Sequence, residues 1–97
     1  MQTRVKVCGI THPADRDVAV SAGADALGFI SGVPVETPRE IPLDRVAELA
    51  VAVPPFLSTV LVTAPPDVES AIERYEQAGT DVVQVHGDLS PAEIATL

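Results

Sequence analysis

Three residues of this 97-residue chain have side chains suited to acid–base or anion chemistry: Cys8, Arg39 and His86. Cys8 is the only cysteine, so its thiol has no partner for an internal disulfide. It closes an apolar alternating run, Val5-Lys6-Val7-Cys8, and is followed by Gly9-Ile10-Thr11. That pattern is a strand ending in a tight turn, with a helix start just beyond. A free cysteine commonly packs as a small hydrophobe. At a strand end before a helix N-terminus, it can instead serve as a thiolate base. His86 also precedes a glycine, at the end of an apolar run from Asp81. It either bonds a loop carbonyl or serves a substrate as hydrogen-bond donor or acid–base group. Arg39 lies in Thr37-Pro38-Arg39, in a loop with three prolines. It either pairs with Glu36 or Glu40 in solvent or clamps a carboxylate or phosphate with its guanidinium fork. Cys8, His12 and His86 could in principle hold a metal, but their spacing matches no zinc pattern, and none is expected. No phosphate-loop, dinucleotide, serine-elbow or zinc-protease motif occurs.

These residues need elements to hold them, and the sequence supplies an alternating series. Residues 4–8 read as strand one. Thr11 is the expected cap of a helix with Pro13 just inside it, whose Ala14, Val18 and Ala22 share one face and which Gly23 ends. Residues 24–30 read as a buried strand, and the loop from Ser31 to Pro42 is long for such a fold. Leu43, Val46, Ala47, Leu49, Ala50 and Val53 mark an amphipathic helix stopped by Pro54-Pro55. Leu57 to Thr63 is the third strand. Pro65-Pro66 opens a helix with Val68, Ala71, Ile72 and Tyr75 on one face and Gly79 at its end. Residues 81–86 form strand four, and Ser90-Pro91-Ala92-Glu93 has the form of a capping box for a last helix. Ala22-Gly23-Ala24-Asp25-Ala26 is echoed by Ala78-Gly79-Thr80-Asp81-Val82.

The order predicts an α/β fold of four consecutive βα units with parallel strands and right-handed crossovers. Residues 1–97 are therefore expected to form one partial domain, the N-terminal half of a (β/α)₈ TIM barrel. Four strands cannot close a barrel, so strands one and four should be open edges. A second copy (a homodimer) or a missing C-terminal half is the expected complement. Chemistry in such folds sits at the carboxyl ends of strands, the rim shared by Cys8 and His86.

Composition narrows the partners. Hydrophobic residues make up 46% of the chain, which argues against disorder. Fourteen acidic residues against six basic ones give a net charge of −8, and Lys6 is the only lysine. That surface repels nucleic acid and anionic membranes, so neither is an expected partner. A phosphorylated small molecule would need a local anion site. The acidity is either a solubilising surface or an adaptation to high salt. No apolar run approaches a membrane span of roughly 20 residues, and the N-terminus lacks a signal-peptide core, so a cytoplasmic location is expected.

Five blocks carry a resemblance: Lys6-Val7-Cys8-Gly9-Ile10-Thr11, Ala22-Gly23-Ala24-Asp25-Ala26-Leu27-Gly28-Phe29, Pro38-Arg39, Leu57-Ser58-Thr59-Val60-Leu61-Val62 and Gln84-Val85-His86-Gly87. In this order and at these intervals the chain resembles phosphoribosylanthranilate isomerase, from about Arg4 onward. The first block is the most specific of the five. The resemblance implies a (β/α)₈ barrel of tryptophan biosynthesis, working without cofactor or metal. Its reaction is the Amadori rearrangement of N-(5-phosphoribosyl)anthranilate to 1-(2-carboxyphenylamino)-1-deoxyribulose 5-phosphate. It further implies that Cys8 is the general base, that Arg39 binds the anthranilate carboxylate and that His86 lies in the substrate pocket. The family's general acid, an aspartate on a later strand, and its glycine-rich phosphate loops would fall beyond Leu97. Asp25 and Asp81 begin strands at the opposite rim and cannot replace that acid.

Two other readings remain open on the sequence: a non-catalytic half-barrel built for association, and a fragment of another sugar-phosphate barrel enzyme. An indole-glycerol-phosphate synthase would need lysine and glutamate at strand ends. Lys6 lies two residues short of its strand's end, and no such pair is evident.

Overall fold

The computed structural model describes residues 4–33 and 37–85. The expected last helix and His86 lie outside the described residues. The elements run β1 (Lys6–Cys8), α1 (Pro13–Ser21), β2 (Ala26–Ile30), α2 (Leu43–Val51), β3 (Ser58–Thr63), α3 (Val68–Ala78) and β4 (Val82–Val85). The strands form one sheet in the order β1-β2-β3-β4, every pair parallel. This is the predicted half-barrel arrangement, and β1 and β4 are its two edges.

Register assigns the faces. Leu27, Phe29 and Leu61 are fully buried and join Ala19, Val46 and Leu49 in the core between sheet and helices. Side chains alternate along a strand, so Ala26, Gly28 and Ile30 of β2 turn to the other, inner face. Cys8 pairs with Gly28 and Lys6 with Ala26, which puts both on that inner face. There Lys6 Nζ donates to Gln84 Oε1 at 2.6 Å, spanning the sheet from β1 to β4.

The repeated Gly-x-Asp segments do the same structural work twice. Gly23 and Gly79 take φ of +91° and +67°, the left-handed geometry that ends a helix cheaply only at glycine. Ala24 N then donates to Ala19 O and Gly23 N to Val20 O, satisfying the last carbonyls of α1. Two residues after each glycine, an aspartate ties back to the start of the preceding strand's segment. Asp25 Oδ2 accepts from Val5 N at 2.7 Å, and Asp81 Oδ2 accepts from Thr59 N at 2.9 Å. Both aspartates lie at the amino rim, opposite Cys8.

Two local expectations need correction. His12, not Thr11, is the N-cap of α1, with extended backbone and no side-chain cap bond. Pro13 at the first helical position is suited to that start, because its missing N–H would be unpaired there anyway. α3 does not open at Pro65-Pro66 but at Val68, behind an Asp67 cap whose Oδ1 accepts from Ser70 N at 2.8 Å. The carboxylate satisfies a free N–H, which a proline cannot do. The shared face of Ala14, Val18 and Ala22 on α1 is solvent-exposed, with Val18 68% accessible. The buried residue of α1 is Ala19. The stripe flanks the open side of β1, where the chain places no further element among the described residues.

Among the described residues no helix is long and apolar enough to cross a membrane.

Candidate active site

β1 delivers the thiol. After Cys8 the chain turns sharply, with Gly9 N and Ile10 N both donating to Gly28 O at 3.0 and 3.2 Å. Two successive amides on one carbonyl pull the strand end over β2 and leave Cys8 exposed at the carboxyl rim. Gly9 makes the turn with φ +84°. Its bare Cα has a second consequence: a Cβ there would lie 2.6 Å from Arg39 Cδ and 3.4 Å from Arg39 Nη1. Arg39 therefore lies directly over the Cys8–Gly9 turn. The structure brings together the base candidate and the anion-clamp candidate, which are 31 positions apart in sequence.

Arg39 does not pair with Glu40. The Glu40 carboxylate instead accepts from Gly32 N at 2.8 Å and Val33 N at 3.2 Å. Glu36 lies outside the described residues. Among the described residues the Arg39 guanidinium has no ion-pair or hydrogen-bond partner. Only its backbone is held, through Arg39 N donating to Thr37 Oγ1 at 3.2 Å.

Cys8 and Arg39 share a cleft of about 600 Å³ with Val7, Ile10, Val18 and Ala22. β1, the turn after it and α1 supply most of its lining. Its apolar wall is the stripe of α1 that the isolated chain leaves uncovered. The chemical residues and the open edge thus form one continuous surface.

Two site features were not legible beforehand. Gly28 faces Cys8, and a Cβ at Gly28 would sit 3.0 Å from Cys8 Sγ and 3.3 Å from Cys8 Cα. Only strand register reveals this pairing. Glu40 and Arg74 hold the loop around Gly32, a role that residue spacing does not disclose for either. Among the described residues no group of three or more His, Cys, Asp or Glu side chains could hold a metal ion.

A parallel βα sheet with a thiol and a guanidinium gathered at its carboxyl rim is the arrangement found in proteins of the (β/α)-barrel class, whose functional side chains sit at that rim. The family model described as N-(5'phosphoribosyl)anthranilate (PRA) isomerase matches residues 5–97. The chain belongs to that family. It is 52% identical to the N-(5'-phosphoribosyl)anthranilate isomerase of Haloarcula marismortui, over 98% of this chain and 44% of that protein. It is 53% identical to the enzyme of that name from Natronomonas pharaonis, over 98% of this chain and 46% of that one. A solved phosphoribosyl anthranilate isomerase, in complex with reduced 1-(o-carboxyphenylamino)-1-deoxyribulose 5-phosphate, superposes with a TM-score of 0.88 at 30% identity. That match covers 98% of this chain and 48% of that structure. The chain spans less than half the length of these relatives.

Proposed function

We propose that residues 1–97 supply the base-bearing half of a phosphoribosylanthranilate isomerase, a partial domain that works with a complementary half-barrel. The observation that carries this reading is the stacking of Arg39 over the Cys8–Gly9 turn at the carboxyl rim. In the proposed reaction the anthranilate carboxylate pairs with the Arg39 guanidinium, a charge-assisted and geometrically specific contact. Opening of the ribose ring leaves a cationic C=N at sugar C1, which acidifies the C2–H bond. The Cys8 thiolate takes that proton onto Sγ. The resulting enol becomes the C2 ketone as the Cys8 thiol returns a proton to C1 and the hydroxyl proton passes to the base left by the acid that opened the ring, so the rearrangement is neutral overall and both groups are restored. His86 follows β4 directly in sequence and is proposed to line the substrate pocket. No metal or organic cofactor is required by these steps.

The proposed acid for ring opening comes from the complementary half. Without it the chain alone should be slower by about 10²–10⁴. The partner reading rests on the two sheet edges. Val5 is 51% and Val82 48% accessible, and Ile72 and Tyr75 flank a second apolar cavity of about 330 Å³ beside β4. Unpaired strand edges flanked by apolar surface favour association.

The experiment is an isomerase assay on the chain alone and on the chain mixed with the C-terminal half of a relative. Turnover that appears or rises on mixing, and disappears in Cys8→Ser, is the expected result. A mixture with no turnover, or one whose turnover survives Cys8→Ser, refutes the assignment. The exposed edges also favour a second reading, a self-associating half-barrel without catalysis. Sedimentation decides it: a stable dimer that a C-terminal half does not displace supports that reading, and a monomer at micromolar concentration removes it.

A further inference from the structure

The loop that carries Arg39 is held from both sides by residues that play no part in the proposed chemistry. It leaves β2 at Ser31-Gly32-Val33 and returns at residues 37–41. Glu40 stitches the two sides together. Its backbone forms a parallel bridge with Ile30, and Ile41 N donates to Ile30 O at 2.9 Å. Its carboxylate meanwhile receives the amides of Gly32 and Val33. Glu40 N also donates to Thr37 O at 3.2 Å, which closes the turn containing Arg39.

Arg74 of α3 grips the same peptide from the opposite end. Its Nη1 donates to Gly32 O at 3.0 Å and to Thr63 Oγ1 at 2.8 Å. Thr63 is fully buried at the carboxyl end of β3, and Ala64 N donates to Gly32 O at 3.1 Å. Gly32 has φ +70°, and a Cβ there would lie 2.6 Å from Arg74 Nη1, so glycine alone permits the approach. A carboxylate thus receives the N–H side of Gly32 while a guanidinium holds its C=O. Both charges align with the local peptide dipoles, and such charge-assisted bonds are stronger than neutral ones.

We propose that Glu40 and Arg74 are positioning residues which, by clamping Gly32, hold Arg39 over the Cys8–Gly9 turn so that it can receive the substrate carboxylate. The inference rests on the proposed role of Arg39. The physical reason is entropy: a long exposed side chain on an unanchored loop must be ordered at the moment of binding, and ordering it in advance removes that cost.

The test uses the 97-residue chain labelled with ¹⁵N and two readouts. One is the heteronuclear NOE of the Arg39 Nε–Hε group, which reports its rigidity without ligand. The other is the dissociation constant for anthranilate from chemical-shift titration. Glu40→Ala and Arg74→Met should each lower the Arg39 NOE and weaken anthranilate binding by up to about tenfold. Glu40→Gln, which keeps an acceptor oxygen, should recover much of both. In an Arg39→Ala background, Glu40→Ala should weaken binding no further. An Arg39 NOE unchanged in both Glu40→Ala and Arg74→Met overturns the proposal. So does an effect of Glu40→Ala on binding that persists without Arg39. If the wild-type chain binds no anthranilate while the NOE falls as expected, the positioning stands and the carboxylate role of Arg39 fails. A variant that loses its cooperative melt is replaced by Glu40→Gln or Arg74→Lys, whose smaller NOE changes decide the same question.

Discussion

Cys8 and Gly28 are register partners on β1 and β2, and a Cβ on Gly28 would lie 3.0 Å from the Cys8 sulfur. The same atom would meet Cys8 Cα at 3.3 Å, so rotating the thiol away cannot relieve the contact. Gly28→Ala should therefore displace β1 relative to β2 and cost about 1–3 kcal/mol, the usual penalty for overpacking. Urea unfolding measures that loss. Cys8 is the sole cysteine, so its iodoacetamide alkylation can be read without interference. The alkylation rate should change in Gly28→Ala. An unchanged rate together with unchanged stability would show that the two strand ends do not pack as described.

Gly9 and Gly23 allow strain to be separated from contact. Both have positive φ, +84° and +91°. A Cβ at Gly23 meets nothing within 4 Å, whereas one at Gly9 meets Arg39. Gly23→Ala should cost only the left-handed backbone penalty of about 1–2 kcal/mol. Gly9→Ala should cost more, and the excess should vanish in an Arg39→Ala background. A double-mutant cycle by denaturant unfolding gives that coupling directly. A coupling of zero would mean that Arg39 does not rest on this turn.

The parts of the molecule that were legible in the sequence are those fixed by local rules. The four strands were readable from β-branched and alternating runs. The positive-φ glycines after α1 and α3 were readable as helix stops. The rim position of Cys8 followed from strand direction alone. Ala14, Val18 and Ala22 of α1 do form the stripe that the sequence shows, but a periodic stripe does not say which element covers it. Gly28, Glu40 and Arg74 were missed because their roles depend on register and on contacts 8 to 42 residues apart. Arg74 in particular sits on a helix rich in charge, where an arginine reads as solvated surface.

The paired aspartates at the amino rim should differ in strength. Asp25 receives one backbone amide from Val5 in an exposed setting. Asp81 receives both the amide and the hydroxyl of Thr59, while Asp81 N donates to Thr59 Oγ1 at 2.9 Å. Removing one partner of a partly buried network leaves the others unsatisfied. Asp81→Ala should therefore lower stability by about 2 kcal/mol and Asp25→Ala by about 1 kcal/mol. Equal losses in urea unfolding would contradict the reciprocal Thr59–Asp81 arrangement.

Asp67 provides a pH signature. The backbone hydrogen bond from Ser70 holds its carboxyl below the ordinary aspartate value, with the Ser70 side chain and Arg74 adding to the effect. A carboxyl whose value is lowered on folding favours the folded state while ionised. That contribution is complete above the ordinary range near 4 and disappears as pH falls through the lowered value. Asp67→Ala should therefore melt below the wild type at pH 7, and the gap should shrink progressively below pH 4. A gap that stays constant down to pH 2 would mean that the cap does not depend on the carboxylate charge.

The acidity of the chain should show as a salt response with a definite location. Fourteen acidic residues face six basic ones, and among the described residues only Arg16–Asp17 and Arg45–Glu48 form ion pairs. On α3, Glu69, Glu73 and Glu76 are all exposed, at spacings of four and three residues that bring like charges together on one helix face. Such pairs each destabilise a helix by roughly 0.2–0.5 kcal/mol at low salt. At 1 M salt the screening length is only about 3 Å, so the repulsion fades. The urea midpoint should rise between 0.05 and 2 M KCl. It should rise less in Glu69→Gln/Glu73→Gln/Glu76→Gln, which starts out more stable at low salt. A wild-type midpoint that is flat or falling across that range would show that the net charge of −8 does not oppose folding.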